Sequence, residues 1–294
     1  YNLEFLCNDL NQGIFVAGMR EIFLAALSDE EQEVFGEEKI SRVGLHDLQD
    51  LIKFEKYLKK NLIGQDEAVE ALINSLKLIV SGMGHSASFF FVGPTGVGKT
   101  QLGKLLGKKY SGNFMKINCA EYSGGHEYAK LIGSPPGYVG HSDKSLLAEK
   151  AEKSNKWVFL FDEIEKAHPK FYDFLLSLLD DGSVTDNMGR VLDFSESIFI
   201  FTSNQGMHGL KFGPTLGFSD EKITYETVKD KIQESVKKHF SPEFLNRLDY
   251  FINFNSLSEK SIRKIISLEL RGVPIRKHRC LVDYIMEKSY SEEY

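Results

Sequence analysis

The stretch Phe89-Phe90-Phe91-Val92-Gly93-Pro94-Thr95-Gly96-Val97-Gly98-Lys99-Thr100 constrains the fold more than any other part of the chain. A short apolar run ends in a glycine-rich turn, and a helical pattern begins at once. A strand, a tight loop and a helix must therefore follow one another here. Gly93 to Thr100 matches the G-x-x-x-x-G-K-[ST] pattern in full. Its glycines let successive backbone N–H groups turn inward and form a nest for anionic oxygens. The helix starting near Lys99 aims its positive end at the same place. Pro94, Thr95, Gly96, Val97 and Gly98 are expected to wrap the phosphates of ATP. Lys99 is expected on the β- and γ-phosphates and the Thr100 hydroxyl on Mg²⁺. An ordinary glycine-rich turn accounts for the composition, but not for the whole motif in this setting.

Four more short apolar runs resemble the one before the loop: Phe114 to Ile117, Trp157 to Phe161, Ile198 to Thr202 and Tyr250 to Phe254. Nearly continuous apolar character marks strands covered on both faces of a parallel sheet. Helical periodicity lies between them, over 101–109, 145–153, 170–179 and 225–240. The expected fold class is therefore α/β, an open parallel sheet flanked by helices. Upstream, Val69, Leu72, Ile73, Leu76, Ile79 and Val80 form one helical stripe. The spacing over 45–62 predicts a surface helix. After Phe254 only helical patterns remain, over 256–270 and 277–288. The expected division is a segment or linker over 1–60, possessing at most a remnant of a preceding domain, then a large α/β domain over 61–255 and a partial helical lid over 256–294.

A second motif gives the loop a chemistry. Val158-Phe159-Leu160-Phe161 leads into Asp162-Glu163, so a buried strand ends in two carboxylates. Asp162 is expected to hold the magnesium and Glu163 to polarise an attacking water. Acidic pairs also cap strand ends and helix starts, but two such motifs on separate strands favour ATP hydrolysis. Asn204 ends the next apolar strand, at the sheet edge where ligands of such folds gather. It is expected to help place the water or the γ-phosphate.

These motifs, in this order, resemble the AAA+ P-loop ATPases, and from about residue 62 onward the second nucleotide-binding module of the Clp/Hsp100 unfoldases. Leu62-Ile63-Gly64-Gln65 is similar to the segment that packs on adenine in that family, which puts Ile63 and Gly64 at the nucleotide. Asp162 to Pro169 and Ser241 to Asp249 resemble two further signatures. The resemblance implies that Arg247 is a finger reaching the neighbouring subunit's site, and hence a homo-hexameric ring. It also implies that Gly133-Ser134-Pro135-Pro136-Gly137-Tyr138-Val139-Gly140 lines a central channel, where Tyr138, with Val139, grips an unfolded or tagged polypeptide. Residues 180–190 read as a hairpin or loop after a helix, similar to a second channel loop. Leu216-Gly217-Phe218 fits the tripeptide by which some members dock on a Clp peptidase, against a local packing role for the same residues. The family's lid carries a Gly-Ala-Arg motif that would begin where this sequence ends, so the chain is expected to be a piece that binds or turns over ATP poorly.

Rival readings differ in class. An AAA+ nucleic-acid remodelling ATPase would share the site but grip phosphates with Lys and Arg. Tyr138 has no adjacent cation, and the formal net charge is -6, so no nucleic-acid partner is expected. A disaggregase without a peptidase is the nearer alternative. A module that senses nucleotide without hydrolysing it conflicts with Glu163 and Arg247, while the missing lid arginine favours it. Cys7, Cys119 and Cys280 show no metal spacing and suit a reducing, cytoplasmic setting. No apolar run is long enough to span a bilayer.

Overall fold

The computed structural model describes residues 44–45, 47–83, 87–125, 127–134, 144–204, 235–270 and 278–289. Its centre is a parallel sheet of five strands: β1 (Ala87–Val92), β2 (Phe114–Asn118), β3 (Val158–Asp162), β6 (Ile198–Ser203) and β7 (Tyr250–Asn253), in the spatial order β2-β3-β6-β1-β7. β4 (Ser183–Thr185) and β5 (Val191–Asp193) form a separate antiparallel hairpin. Strand alternation explains the unbroken apolar runs. Phe90, Phe159, Phe161, Phe199 and Phe201 enter one core, while Phe89, Phe91, Val158, Leu160, Ile198 and Ile200 enter the other. On the first face the register pairs Phe159 with Phe199 and Phe161 with Phe201, and both pairs stack, the second with centroids 5.0 Å apart.

Helices cover both faces. α1 (Leu48–Asn61), α2 (Asp66–Leu78) and α3 (Lys99–Tyr110) pack on one. On the other lie α5 (Leu146–Lys153) and α6 (Pro169–Asp181), with the single-turn α4 (Ala129–Ile132) beside them. α1 is amphipathic, as its spacing requires. Leu51, Phe54 and Leu58 are fully buried with Val69 and Leu72, whereas Leu48 and Ile52 are exposed. The packed unit thus takes in residues on both sides of position 60. Asp47 caps α1 by accepting from the Asp50 amide, and α6 starts with His168 as cap and Pro169 in its first turn.

After β7 come α8 (Glu259–Glu269) and α9 (His278–Ser289), which bury Ile266 and Leu270 against Val282, Ile285 and Met286. The short α7 (Pro242–Leu245) precedes β7. Of the helix expected over 225–240, residues 235–239 are helical and the rest lies outside the described residues. Among the described residues, no helix is long and apolar enough to cross a membrane.

Candidate functional site

Strand order assembles the site. β3, β6 and β1 are consecutive neighbours and run the same way. Their C-terminal ends therefore bring Asp162-Glu163, Asn204 and the loop after Val92 to one edge. The loop's shape depends on two glycines. A Cβ on Gly93 would lie 2.6 Å from the Phe254 carbonyl oxygen. At Gly98 the backbone has φ +106, and a Cβ would lie 2.7 Å from the Leu62 side chain. Only glycine meets both demands. Gly98 is also the N-cap of α3, so the helix begins at Lys99. Val97 is buried, Pro94 is half-buried, and Thr95 and Gly96 are exposed.

Lys99 is 7% exposed, and its ammonium spends its three donors on the Gly93 carbonyl (2.6 Å), the Pro94 carbonyl (2.7 Å) and Asn204 Oδ1 (2.8 Å). Burial pushes its pKa down to about 8, while the charges of Asp162, Glu165 and Glu163 pull it back up. Asn204 links this cation to the acidic pair. Its Nδ2 lies 3.4 Å from Glu163 Oε1, and its backbone N–H donates to Glu165 Oε1 at 3.1 Å. Glu165 Oε2 is buried and has no hydrogen-bond partner among the described residues. The Lys99 charge acts on that carboxylate.

Thr202 is buried beneath Asp162 and Glu163. Its hydroxyl donates to Asp162 Oδ1 at 2.5 Å and accepts from the Glu163 amide at 3.1 Å. Glu163 takes φ 56, the left-handed region, and is the one non-glycine residue with positive φ among those described. Such a conformation costs energy and is kept where surrounding contacts over-determine it. Lys166 pairs with its Oε2 at 2.7 Å, which raises the Lys166 pKa.

The donor set suits a magnesium ion held jointly with a polyphosphate. Thr100 Oγ1 lies 3.4 Å from each Asp162 oxygen, giving two hard oxygen donors side by side. Among the described residues no three His, Cys, Asp or Glu side chains cluster to make an all-protein metal site. Mg²⁺ is characteristically bound by one or two such groups, with phosphate oxygens and waters supplying the rest.

Ile63 is half-buried and Gly64 exposed, between α1 and α2. Gly64 has φ +78, and a Cβ there would lie 2.9 Å from Ser261 Oγ on α8. The next residue, Gln65, is buried. Its side chain accepts from the Asn255 amide (3.0 Å) and donates to the Asn255 carbonyl (2.7 Å), fastening this segment to the end of β7.

Arg247 is not part of the cluster. It lies toward the opposite edge of the sheet, because Asp249 is bound to Ser88 at the start of β1 through the Ser88 amide and hydroxyl, both 2.8 Å. Residues 88 and 93 are separated by about 17 Å of extended strand. Arg247 pairs instead with Asp180, at the C-terminal end of α6, through Nε and Nη2. The carboxylate of Asp249, two residues along the chain, binds Ser88 and is not the arginine's partner. Residues 180–190 contain the β4–β5 hairpin, whose Asp186 accepts from the Met188 and Arg190 amides and pairs with the Arg190 side chain. Tyr138, Val139, Leu216, Gly217 and Phe218 lie outside the described residues.

Sequence reasoning missed Thr202, Glu165, Lys166 and Lys116, the last of which pairs with Asp162 (2.6 Å). Thr202 had a signal, as a hydroxyl in an otherwise apolar strand two residues before Asn204. Lys116 had one too, as a lone cation in the edge strand.

A phosphate loop, an acid pair and a polar residue on three adjacent strand ends define a nucleotide-hydrolysing P-loop domain. The model of the AAA domain (Cdc48 subfamily) matches residues 85–251, and the chain belongs to this family, within its Clp/Hsp100 group of AAA+ ATPases. It is 40% identical over 238 residues to the negative regulator of genetic competence ClpC/MecB of Bacillus subtilis, covering 78% of this chain and 29% of the relative. It is 37% identical over 269 residues to the chaperone protein ClpB of Oceanobacillus iheyensis, covering 87% and 33%. With the chloroplastic ATP-dependent Clp protease ATP-binding subunit ClpA homolog CD4B of Solanum lycopersicum it shares 39% over 246 residues, covering 80% and 27%. The chain thus spans about a third or less of the curated relatives it matches. Among solved structures, a closed-state reconstruction of Hsp104 with ATPγS and FITC casein superposes with TM-score 0.70 at 31% identity, over 83% of this chain and 44% of that one.

Proposed function

We propose that this chain is the ATP-hydrolysing, chain-gripping module of a protein unfoldase that works as a homo-hexameric ring. The observation that carries the reading is the junction of Lys99, Asn204 and Glu163. One amide side chain touches both the phosphate-binding cation and the catalytic carboxylate, so phosphate occupancy and the position of the base are mechanically linked.

The roles follow from position. The loop amides and Lys99 bind the phosphates, and Ile63 and Gly64 border the adenine. Glu163 accepts the proton of the attacking water, and Asn204 orients that water. Thr100 and Asp162 would hold Mg²⁺, which when bound neutralises charge on the β- and γ-phosphates. Arg247 lies too far from its own chain's loop to serve it and acts on the neighbouring subunit's nucleotide. A planar cation there stabilises charge on the transferring phosphoryl group. Movement of the loop bearing Tyr138 and Val139 then pulls a threaded polypeptide. Ring stacking and apolar contact tolerate many sequences, as an unfoldase requires. Leu216-Gly217-Phe218 would dock the ring on a Clp peptidase; without that contact the same motor acts as a disaggregase. One relative is named a chaperone and another an ATP-binding subunit of a Clp protease, which supports keeping both outcomes.

The test follows release of signal from a tagged, folded fluorescent protein. Tyr138→Ala is expected to retain ATP turnover and lose unfolding. Unchanged unfolding in that variant overturns the threading claim. A peptide-release assay with a Clp peptidase, with and without Phe218→Ala, separates the degrading reading from the disaggregating one.

A further inference from the structure

Lys116 stands outside every motif and touches the carboxylate that would bear the metal. It lies on β2, the edge strand next to β3. Its ammonium is 2.6 Å from Asp162 Oδ2; its side chain is 43% exposed and that of Asp162 only 17%. The other oxygen, Oδ1, accepts the Thr202 hydroxyl, and Thr100 lies 3.4 Å from both oxygens. Residues from β2, β6 and α3 therefore converge on a single mostly buried carboxylate.

We propose that Lys116 is a positioning residue for Asp162: a tethered cation that would compete with the divalent ion for this carboxylate and thereby set how strongly metal and nucleotide binding depend on each other. This rests on reading Asp162 and Thr100 as the metal's ligands. A carboxylate has lone-pair sites for several partners, so a metal and an ammonium can approach one oxygen, but only as close like charges. Their repulsion in a partly desolvated site is large at such separations. Lysine is suited to yielding, being a compact charge on a flexible four-carbon stem, and half of this one is in water. Bonded to Asp162, it holds the carboxylate charge-balanced in the orientation that Thr202 also favours. While bonded, it also offsets the charge by which Asp162 would repel a polyphosphate. An exposed ion pair serving only stability contributes little, which leaves the local charge balance as the larger consequence.

The two roles have opposite signatures. Without metal, Lys116 helps hold the polyphosphate; with metal, it opposes the ion. The full chain is titrated with a fluorescent ATP analogue in EDTA and in excess Mg²⁺, and the ratio of the two dissociation constants is taken. For Lys116→Met the ratio is expected to rise about tenfold, through weaker binding in EDTA and a lower half-saturating Mg²⁺, with Lys116→Arg, which keeps the charge, nearer to wild type than Lys116→Met. Lys116→Gln repeats the test if the Met variant melts early. A ratio that is unchanged or falls overturns the proposal, and so does loss of all nucleotide binding in a folded variant, which would make Lys116 a direct nucleotide ligand. If wild type itself shows no metal effect, the metal-site reading fails rather than the assignment of Lys116.

Discussion

Lys99 carries a pH dependence with a defined sign. Burial takes its pKa from 10.5 down to about 8, with the nearby carboxylates opposing. The folded value lies below the unfolded one. Between pH 8 and 10.5 the unfolded chain therefore holds more protons, and stability rises with pH across that window. Below pH 8 both states carry the charge and the burial cost is felt in full. The gap from 10.5 to 8 corresponds to about 3 kcal/mol. Cys119 and Tyr110 behave oppositely: burial raises both, Tyr110 to about 12, so their contributions are lost as pH rises past their unfolded values. The Lys99 contribution is isolated as the difference between wild type and Lys99→Met in urea unfolding at pH 7.5 and 10.5. Polyphosphate binding favours the charged lysine, so it restores the proton. ATP affinity measured without metal should then fall through pH 8 and be about 30-fold weaker at pH 9.5 than at pH 7, or about 2 kcal/mol. Fluorescence titration of an ATP analogue reads this directly. The variant should bind weakly with no such pH slope. A flat wild-type profile, or the same slope in Lys99→Met, refutes the reasoning.

Three further outcomes follow from the geometry. Thr202→Val keeps the shape but removes the hydroxyl that donates to Asp162 and accepts from the Glu163 amide, so urea unfolding should show a loss of about 2–4 kcal/mol; under about 1 kcal/mol contradicts the account. Glu163→Gln should bind ATP within about threefold of wild type and lose at least about 10²-fold in turnover, read by a phosphate-release assay. Gly98→Ala combines left-handed backbone with a contact 2.7 Å from Leu62, and should cost about 1–3 kcal/mol in stability, along with most ATP binding by the same titration.

The sheet was legible because its strands are buried on both faces. Period-2 alternation disappears when Phe89 and Phe90 both enter cores, and the surviving signal is a short apolar run bounded by turns. The loop and the acid pair were legible because their chemistry needs particular residues at fixed spacing. What a helix packs against was not. The stripe over 48–61 shows one apolar face, but only the fold shows Leu51, Phe54 and Leu58 joining the core of α2 and α3. Long-range polar pairs were equally hidden. Arg247 and Asp180 are 67 residues apart, and nothing local distinguishes Asp180 from Asp249 as its partner. The left-handed Glu163 carries no glycine to announce it. Thr202 and Lys116 act through neighbours supplied by strand order, which spacing along the chain does not encode.

If Arg247 serves the site of the next subunit, two variants that are each inactive alone can complement one another in one ring. Arg247→Ala and Lys99→Met are each expected to abolish ATP turnover alone, the first lacking the finger and the second the site. Mixed in co-assembled rings, they should recover a substantial part of the activity, because an intact site of one variant then meets the intact arginine of the other. Mixed rings whose co-assembly is verified, and which stay as inactive as the separate variants, would contradict this role for Arg247.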